Sequence, residues 1–122
     1  METDKPMFLG EIQIKDDTIT YAGSMMKEGN VKWDREIDAG GNLVMPGFKD
    51  AHTHSAMTFL RSHADDMKLD EWLNTRVFPA EARLTGESVY WFTMLAIMEY
   101  VTSGITAAYD MYFYVDDGAR AV

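Results

Sequence analysis

The sequence contains no cysteine. Disulfides and thiolate metal ligands are therefore excluded, and any bound metal must rest on histidine, aspartate or glutamate. No apolar run approaches the ~20 residues needed to span a bilayer. Met1-Glu2-Thr3-Asp4-Lys5-Pro6 offers no basic stretch followed by an apolar one, so no secretory leader is expected. Positive charge is scarce. Eleven Lys and Arg stand against twenty Asp and Glu, a net charge of −9. That balance argues against a nucleic-acid backbone or an anionic membrane as the main partner. These absences fit a cytoplasmic protein. Repeats and low-complexity segments are also missing.

What is present is ordinary for a globular chain. Of 122 residues, 47% are apolar and 25% charged. A chain of this length can bury roughly two thirds of its unfolded surface. Its ten methionines read as adaptable core filler.

The chain falls into two unlike parts. In the first, Glu11-Ile12-Gln13-Ile14-Lys15 alternates with the period of a half-buried strand. Asp16-Asp17 marks a turn and Thr18-Ile19-Thr20-Tyr21 a second strand, so a hairpin is expected. Gly23 to Gly29 reads as loop. Arg35-Glu36-Ile37-Asp38 reads as a further short strand, ended by Ala39-Gly40-Gly41-Asn42.

After Pro46-Gly47 the period changes. A short buried strand is expected to end at the histidine pair of Lys49-Asp50-Ala51-His52-Thr53-His54. Leu69 to Phe78 reads as helix, with Leu69, Trp72, Leu73 and Val77 sharing a face. Thr85 is an N-cap for a long helix through Thr102, with Glu87 in its first turn. Val89, Phe92, Leu95, Ala96 and Met98 make that helix apolar over much of its circumference, which predicts burial. Ser103-Gly104 stops it. Ile105 to Tyr109 is a second buried-type strand ending in Asp110. Val115 to Val122 opens another helix, with Asp116 as its expected cap. The order strand, helix, strand, helix predicts α/β architecture with parallel strands. A sheet this short leaves open edges, which predicts either a fragment or a covering partner.

His52-Thr53-His54 is the sharpest chemical feature. On a strand, residues i and i+2 share a face, so two imidazoles can grip one cation. A bare H-x-H is also met as two unrelated surface histidines. Its position at the C-terminal end of a strand, after a Pro-Gly bend, favours the functional reading. His63 reads as a surface histidine. Asp110, at the end of the second strand, stands equally as a cap or as a support for a metal ligand.

These residues resemble a known family. Val44 to Met57, with its P-G-x-x-x-x-H-x-H pattern, is similar to the first barrel strand of the amidohydrolase superfamily. Arg61, Ala64-Asp65-Asp66, Leu69, Glu71-Trp72-Leu73 and Pro79-Ala80-Glu81-Ala82 resemble the segment that follows in one branch. That branch holds 5′-methylthioadenosine/S-adenosylhomocysteine deaminases and chlorohydrolases. Ser103-Gly104-Ile105-Thr106 through Asp110-Met111-Tyr112 resembles its second barrel strand.

The resemblance implies a metal-dependent-hydrolase (β/α)₈ TIM barrel preceded by part of a small β-sandwich domain. Residues 1–44 would belong to the β-domain and 45–122 to the first βα units of the barrel. It implies one divalent metal ion on His52 and His54, with zinc as the default and iron also suited. The ion would activate a water that displaces ammonia from a ring carbon. Glu81 would bind the ribose hydroxyls of a small-molecule substrate. As a lone residue, Glu81 reads equally as a solvated carboxylate. Trp72 would line the pocket, although an aromatic on an amphipathic helix is also a core residue.

Guanine deaminase, cytosine deaminase and chlorohydrolase readings remain open, and Glu81 tilts the choice towards a ribose-bearing substrate. A different class of reading is a non-catalytic chain that associates through its open sheet edges, with itself or with the rest of a barrel. The family also uses a third histidine, an acid–base residue and a late-strand aspartate, and a TIM barrel takes about 250 residues. We therefore predict that these 122 residues alone bind zinc poorly and do not deaminate. Equilibrium dialysis and an ammonia assay check this. Robust turnover of 5′-methylthioadenosine by the isolated chain would contradict it.

Overall fold

The computed structural model describes residues 6–26, 31–63 and 66–122. Residues 27–29 of the expected loop, and Ala64-Asp65, lie outside the described residues. The chain divides into two compact units, Met1–Pro46 and Gly47–Val122. Among the described residues, no helix is long and apolar enough to cross a membrane.

In the first unit, β1 (Glu11–Lys15) and β2 (Thr18–Gly23) form the expected antiparallel hairpin. The turn places Asp16 at φ 57°, a left-handed conformation that Asp tolerates better than most residues. A register shift between Gln13 and Ile14 marks a bulge. Ile12, Ile14 and Ile19 are exposed, against the half-buried strands expected. A two-stranded ribbon has no layer of its own to cover them. Arg35 to Asp38 has no regular secondary structure, which corrects the sequence reading of a strand. Among the described residues nothing pairs with it, and strand character requires a partner. The Gly40-Gly41 turn is present, with both glycines at positive φ. Asp38 Oδ1 accepts the Gly40 N–H at 2.8 Å, and Asn42 N–H donates back to Ala39 at 2.9 Å.

The second unit contains β3 (Phe48–Thr53), a 3₁₀ helix (Ser55–Leu60), α1 (Leu69–Trp72), a π-helical turn (Leu73–Val77) and α2 (Phe78–Glu81). Then follow α3 (Gly86–Thr102), β4 (Ile105–Asp110) and α4 (Val115–Arg120). β3 and β4 pair in parallel, from Phe48 opposite Ile105 to Thr53 opposite Asp110. A parallel pair needs a crossover, and the segment containing α3 supplies it. Gly47 enters this ladder where a Cβ would collide with the Thr106 side chain. The Pro-Gly entry is thus a requirement of close strand approach.

The run from Leu69 to Glu81 is helical throughout but widens at its centre. Asn74 Nδ2 and Thr75 Oγ1 each bond a backbone carbonyl one turn back, Asp70 and Glu71, at 2.7 Å. Pro79 has no N–H to donate. Both effects loosen the ordinary backbone ladder and suit a π turn.

α3 begins as its sequence predicts. Thr85 Oγ1 accepts the Ser88 N–H at 3.2 Å, and Ser88 Oγ accepts the Thr85 N–H at 2.8 Å. Gly104 closes it at φ 75°. Its burial is narrower than expected: Val89, Thr93 and Ala96 are buried, while Trp91, Leu95, Met98 and Val101 are exposed. One face packs on the 3₁₀ helix through a Phe59–Phe92 stack 5.1 Å between centroids. Among the described residues no layer covers the other face. β4 is likewise exposed along Thr106 to Asp110, contrary to the buried strand expected. α4 also departs from expectation, because its cap position is Tyr114 at φ 53° and not Asp116.

The core gathers Ala56, Leu84 and Val89, with Phe59, Phe92 and Tyr112 against them. It lies directly behind the chain's exit from β3. We predict that Thr85→Ala lowers unfolding free energy by about 1 kcal/mol. Urea titration checks this, and an unchanged midpoint would contradict the cap.

Candidate functional site

β3 ends at Thr53, and the chain turns at His54 into the 3₁₀ helix. That turn is held from two sides. The Tyr100 hydroxyl, on α3, lies 2.7 Å from Thr53 Oγ1 and 2.8 Å from Ser55 Oγ. The exit of β4 supplies the rest. Met111 N–H donates to the Thr53 carbonyl at 3.1 Å. Asp110 Oδ1 accepts the Ser55 N–H at 3.1 Å. Both neighbours of His54 are thereby fixed in place.

His54 itself is half-buried, with Nδ1 2.7 Å from the Met111 carbonyl oxygen. A carbonyl can only accept, so Nδ1 carries the proton in this contact. In the neutral ring Nε2 then keeps its lone pair. His52 is exposed, and its ring centroid stands 5.0 Å from that of His54 with the planes at 77°. The Asp50 carboxylate accepts the His52 N–H at 3.1 Å and braces that side of the strand. The strand end thus presents two neighbouring imidazoles, one of them with a fixed tautomer.

Beside them stands Tyr112, its ring 6.4 Å from that of His54. Its hydroxyl donates to Glu81 Oε1 at 2.8 Å. Partial burial pushes the Tyr112 phenol above its ordinary range, and the hydrogen bond and charge of Glu81, with the Asp110 charge, push it the same way. Glu81 is half-buried at the end of α2. It lines an open recess of about 520 Å³ together with Phe78, Ala82, Phe113 and Tyr114. Tyr114 Oη donates to the Leu84 carbonyl at 3.0 Å, tying the same loop to the residues after α2.

The sequence-derived candidates are therefore partly assembled. His52 and His54 lie together, and Tyr112 joins His54 to Glu81. Asp110 acts as a cap on the Ser55 N–H. Trp72 is half-buried on α1 and is not among the residues lining the recess. His63 is exposed after the 3₁₀ helix. Tyr100 and Tyr112 were not singled out as functional residues from the sequence. Tyr112 lay within the motif-bearing stretch Asp110-Met111-Tyr112. Tyr100 carried no local signal, being 47 positions from Thr53.

The profile of the Amidohydrolase family matches residues 43–122, and the chain belongs to that family. It is 47% identical over 113 residues to a 5-methylthioadenosine/S-adenosylhomocysteine deaminase of Symbiobacterium thermophilum. It is 48% identical over 113 residues to a 5'-deoxyadenosine deaminase of Methanosarcina mazei. Both alignments cover 93% of this chain and 26% of the relative, so the chain spans about a quarter of their length. Among solved structures, an adenosine deaminase of Xanthomonas campestris with bound zinc matches with a TM-score of 0.61 and 42% identity. That match covers 63% of this chain and 18% of the enzyme. The chain thus carries a piece of this hydrolase family's fold, seen here as a small mixed α/β unit.

The donor chemistry suits a divalent ion in part. Two imidazoles, one with Nε2 free, are borderline ligands of the kind zinc and iron accept. Among the described residues no group of three or more His, Cys, Asp or Glu is placed to hold a metal. The pair is two of the three protein ligands usual for catalytic zinc.

Tyr112 yields a test that needs no metal. A phenol whose folded pKa is raised contributes stability below its unfolded value of about 10. That stability is lost as pH climbs through the folded value. We predict that a difference ultraviolet titration of the chain against Tyr112→Phe shows the missing phenol ionising later than the other tyrosines. Ionisation in the ordinary range would contradict the Glu81 contact.

Proposed function

We propose that the chain supplies the first part of a hydrolytic deaminase of purine nucleosides, of the methylthioadenosine/S-adenosylhomocysteine type. In this reading residues 1–44 belong to a small β-domain, and residues 45–122 begin a (β/α)₈ barrel. The observation that carries it is the pinned His54, whose Nε2 is left free beside His52 at the end of the first parallel strand. Active sites of barrel folds are built at that end of the strands.

His52 and His54 are the proposed holders of one divalent ion, with zinc favoured by the zinc-bound relative. A bound ion of this kind supplies a lowered pKa for water and positive charge near the reacting centre. The chain's own residues do the rest of what can be derived. Asp110 and Tyr100 hold the turn that aims His54. Glu81 is proposed to accept the hydroxyl protons of the sugar, with its recess receiving that part of the substrate. Trp72 is proposed as a further wall of the pocket, on the same helical run that ends in Glu81. The names of the relatives, all acting on adenosine-type nucleosides, support this substrate class.

A second reading rests on the apolar residues left exposed on α3 and β4, such as Met98 at 63% and Tyr109 at 77%. They suit association with a second copy or with further barrel segments. Size-exclusion chromatography separates these, since a stable monomer at high concentration removes self-association.

For the enzyme reading we predict that the protein from the full gene binds one zinc per subunit and releases ammonia from adenosine-type nucleosides. His52→Ala and His54→Ala should each lower bound zinc at least tenfold by mass spectrometry of the dialysed protein. Full zinc occupancy in both variants would overturn the assignment.

A further inference from the structure

Tyr112 joins the histidine pair to Glu81. Its ring is half-buried against the Ala56, Leu84 and Val89 core. One side of that ring approaches His54 at 6.4 Å. Its hydroxyl reaches Glu81 Oε1 at 2.8 Å. A phenol has a single proton to give, so it engages one carboxylate oxygen and leaves Oε2 without a partner from Tyr112. The chain immediately before it supplies the Met111 carbonyl that orients His54. Two adjacent residues of the β4 exit therefore orient the two candidate groups, Met111 the imidazole and Tyr112 the carboxylate.

We propose that Tyr112 is a positioning residue for substrate selection. It holds the Glu81 carboxylate at a set distance from the His52–His54 pair, with one oxygen turned to the diol of a ribose. This inference rests on the reading of Glu81 as the hydroxyl-accepting group. Glu81 is the last residue of the helical run that begins at Leu69, and helix ends fray more readily than interiors. Among the described residues the phenol is the side chain that bonds its carboxylate. Without that bond the carboxylate can rotate into solvent, and the diol must organise it on binding. The cost then falls on substrates that carry the diol and spares those that lack it.

The test uses the protein from the full gene and two unreactive probes, inosine and 2′,3′-dideoxyinosine, measured by calorimetry. The variants are Tyr112→Phe, Glu81→Gln and Thr85→Ala. The Phe replacement keeps the ring in the core. Thr85→Ala removes the α3 cap outside the recess and serves as the structural control.

We expect Tyr112→Phe to weaken inosine about tenfold and to leave dideoxyinosine within about twofold. Glu81→Gln should show the same selectivity, while any loss from Thr85→Ala should be equal for both probes. If Glu81→Gln is selective and Tyr112→Phe weakens both probes equally or neither, the positioning role of Tyr112 fails and the Glu81 reading stands. If Glu81→Gln is not selective, the Glu81 reading fails and the Tyr112 proposal fails with it. A Tyr112→Phe protein that loses its zinc and weakens both probes alike also overturns the proposal.

Discussion

The functional reading depends on the turn at His54. A β-strand places His52 and His54 on one face, but that alone leaves the second imidazole free to rotate. The contacts around it remove that freedom. Tyr100 grips the residues on either side, and Asp110 and Met111 take the backbone of the turn and the ring nitrogen. Because a backbone carbonyl cannot donate, the contact at Nδ1 decides which nitrogen is available. The lone pair that could meet a cation is selected by a residue 57 positions away.

The same constraint links the site to the fold. Met111 can reach His54 only because β4 lies parallel to β3 in the observed register, with Asp110 opposite Thr53. That register needs Gly47, where the Thr106 side chain leaves no space for a Cβ. Tyr100 can reach Thr53 and Ser55 only because α3 packs over the 3₁₀ helix along Phe59 and Phe92. Arg61 and Glu99 pair bidentately at 2.8 Å beside that packing. Both are exposed, so the pair adds little. The energetic centre of the contact is the apolar cluster of Ala56, Leu84 and Val89 behind the turn.

Features set by local chemistry were legible in the sequence. The hairpin strands, the Thr85 cap, the Gly104 stop and the helix start near Val115 follow from neighbours a few residues apart. The parallel pairing followed from the strand–helix–strand order. What failed depends on partners that local pattern does not contain. Arg35 to Asp38 has strand-like residues but, among the described residues, no strand to join. The apolar girth of α3 suggested full burial, yet only its Val89–Thr93–Ala96 face meets a layer. Asp116 was a reasonable cap, but Tyr114 takes the left-handed turn while its hydroxyl holds Leu84. His52, His54 and Glu81 were visible as candidates because motifs mark them. Tyr100 and Tyr112 acquire meaning only once distant segments are in contact.

The account stands most directly on the tautomer of His54. Long-range proton–nitrogen NMR of the histidine-labelled chain, at about pH 8 where an ordinary imidazole is neutral, reads that property without metal or substrate. His54 should appear as a single Nδ1–H tautomer, distinct from the solvated ring of His63. A His54 signal with the proton on Nε2, or averaged like that of His63, would contradict the account.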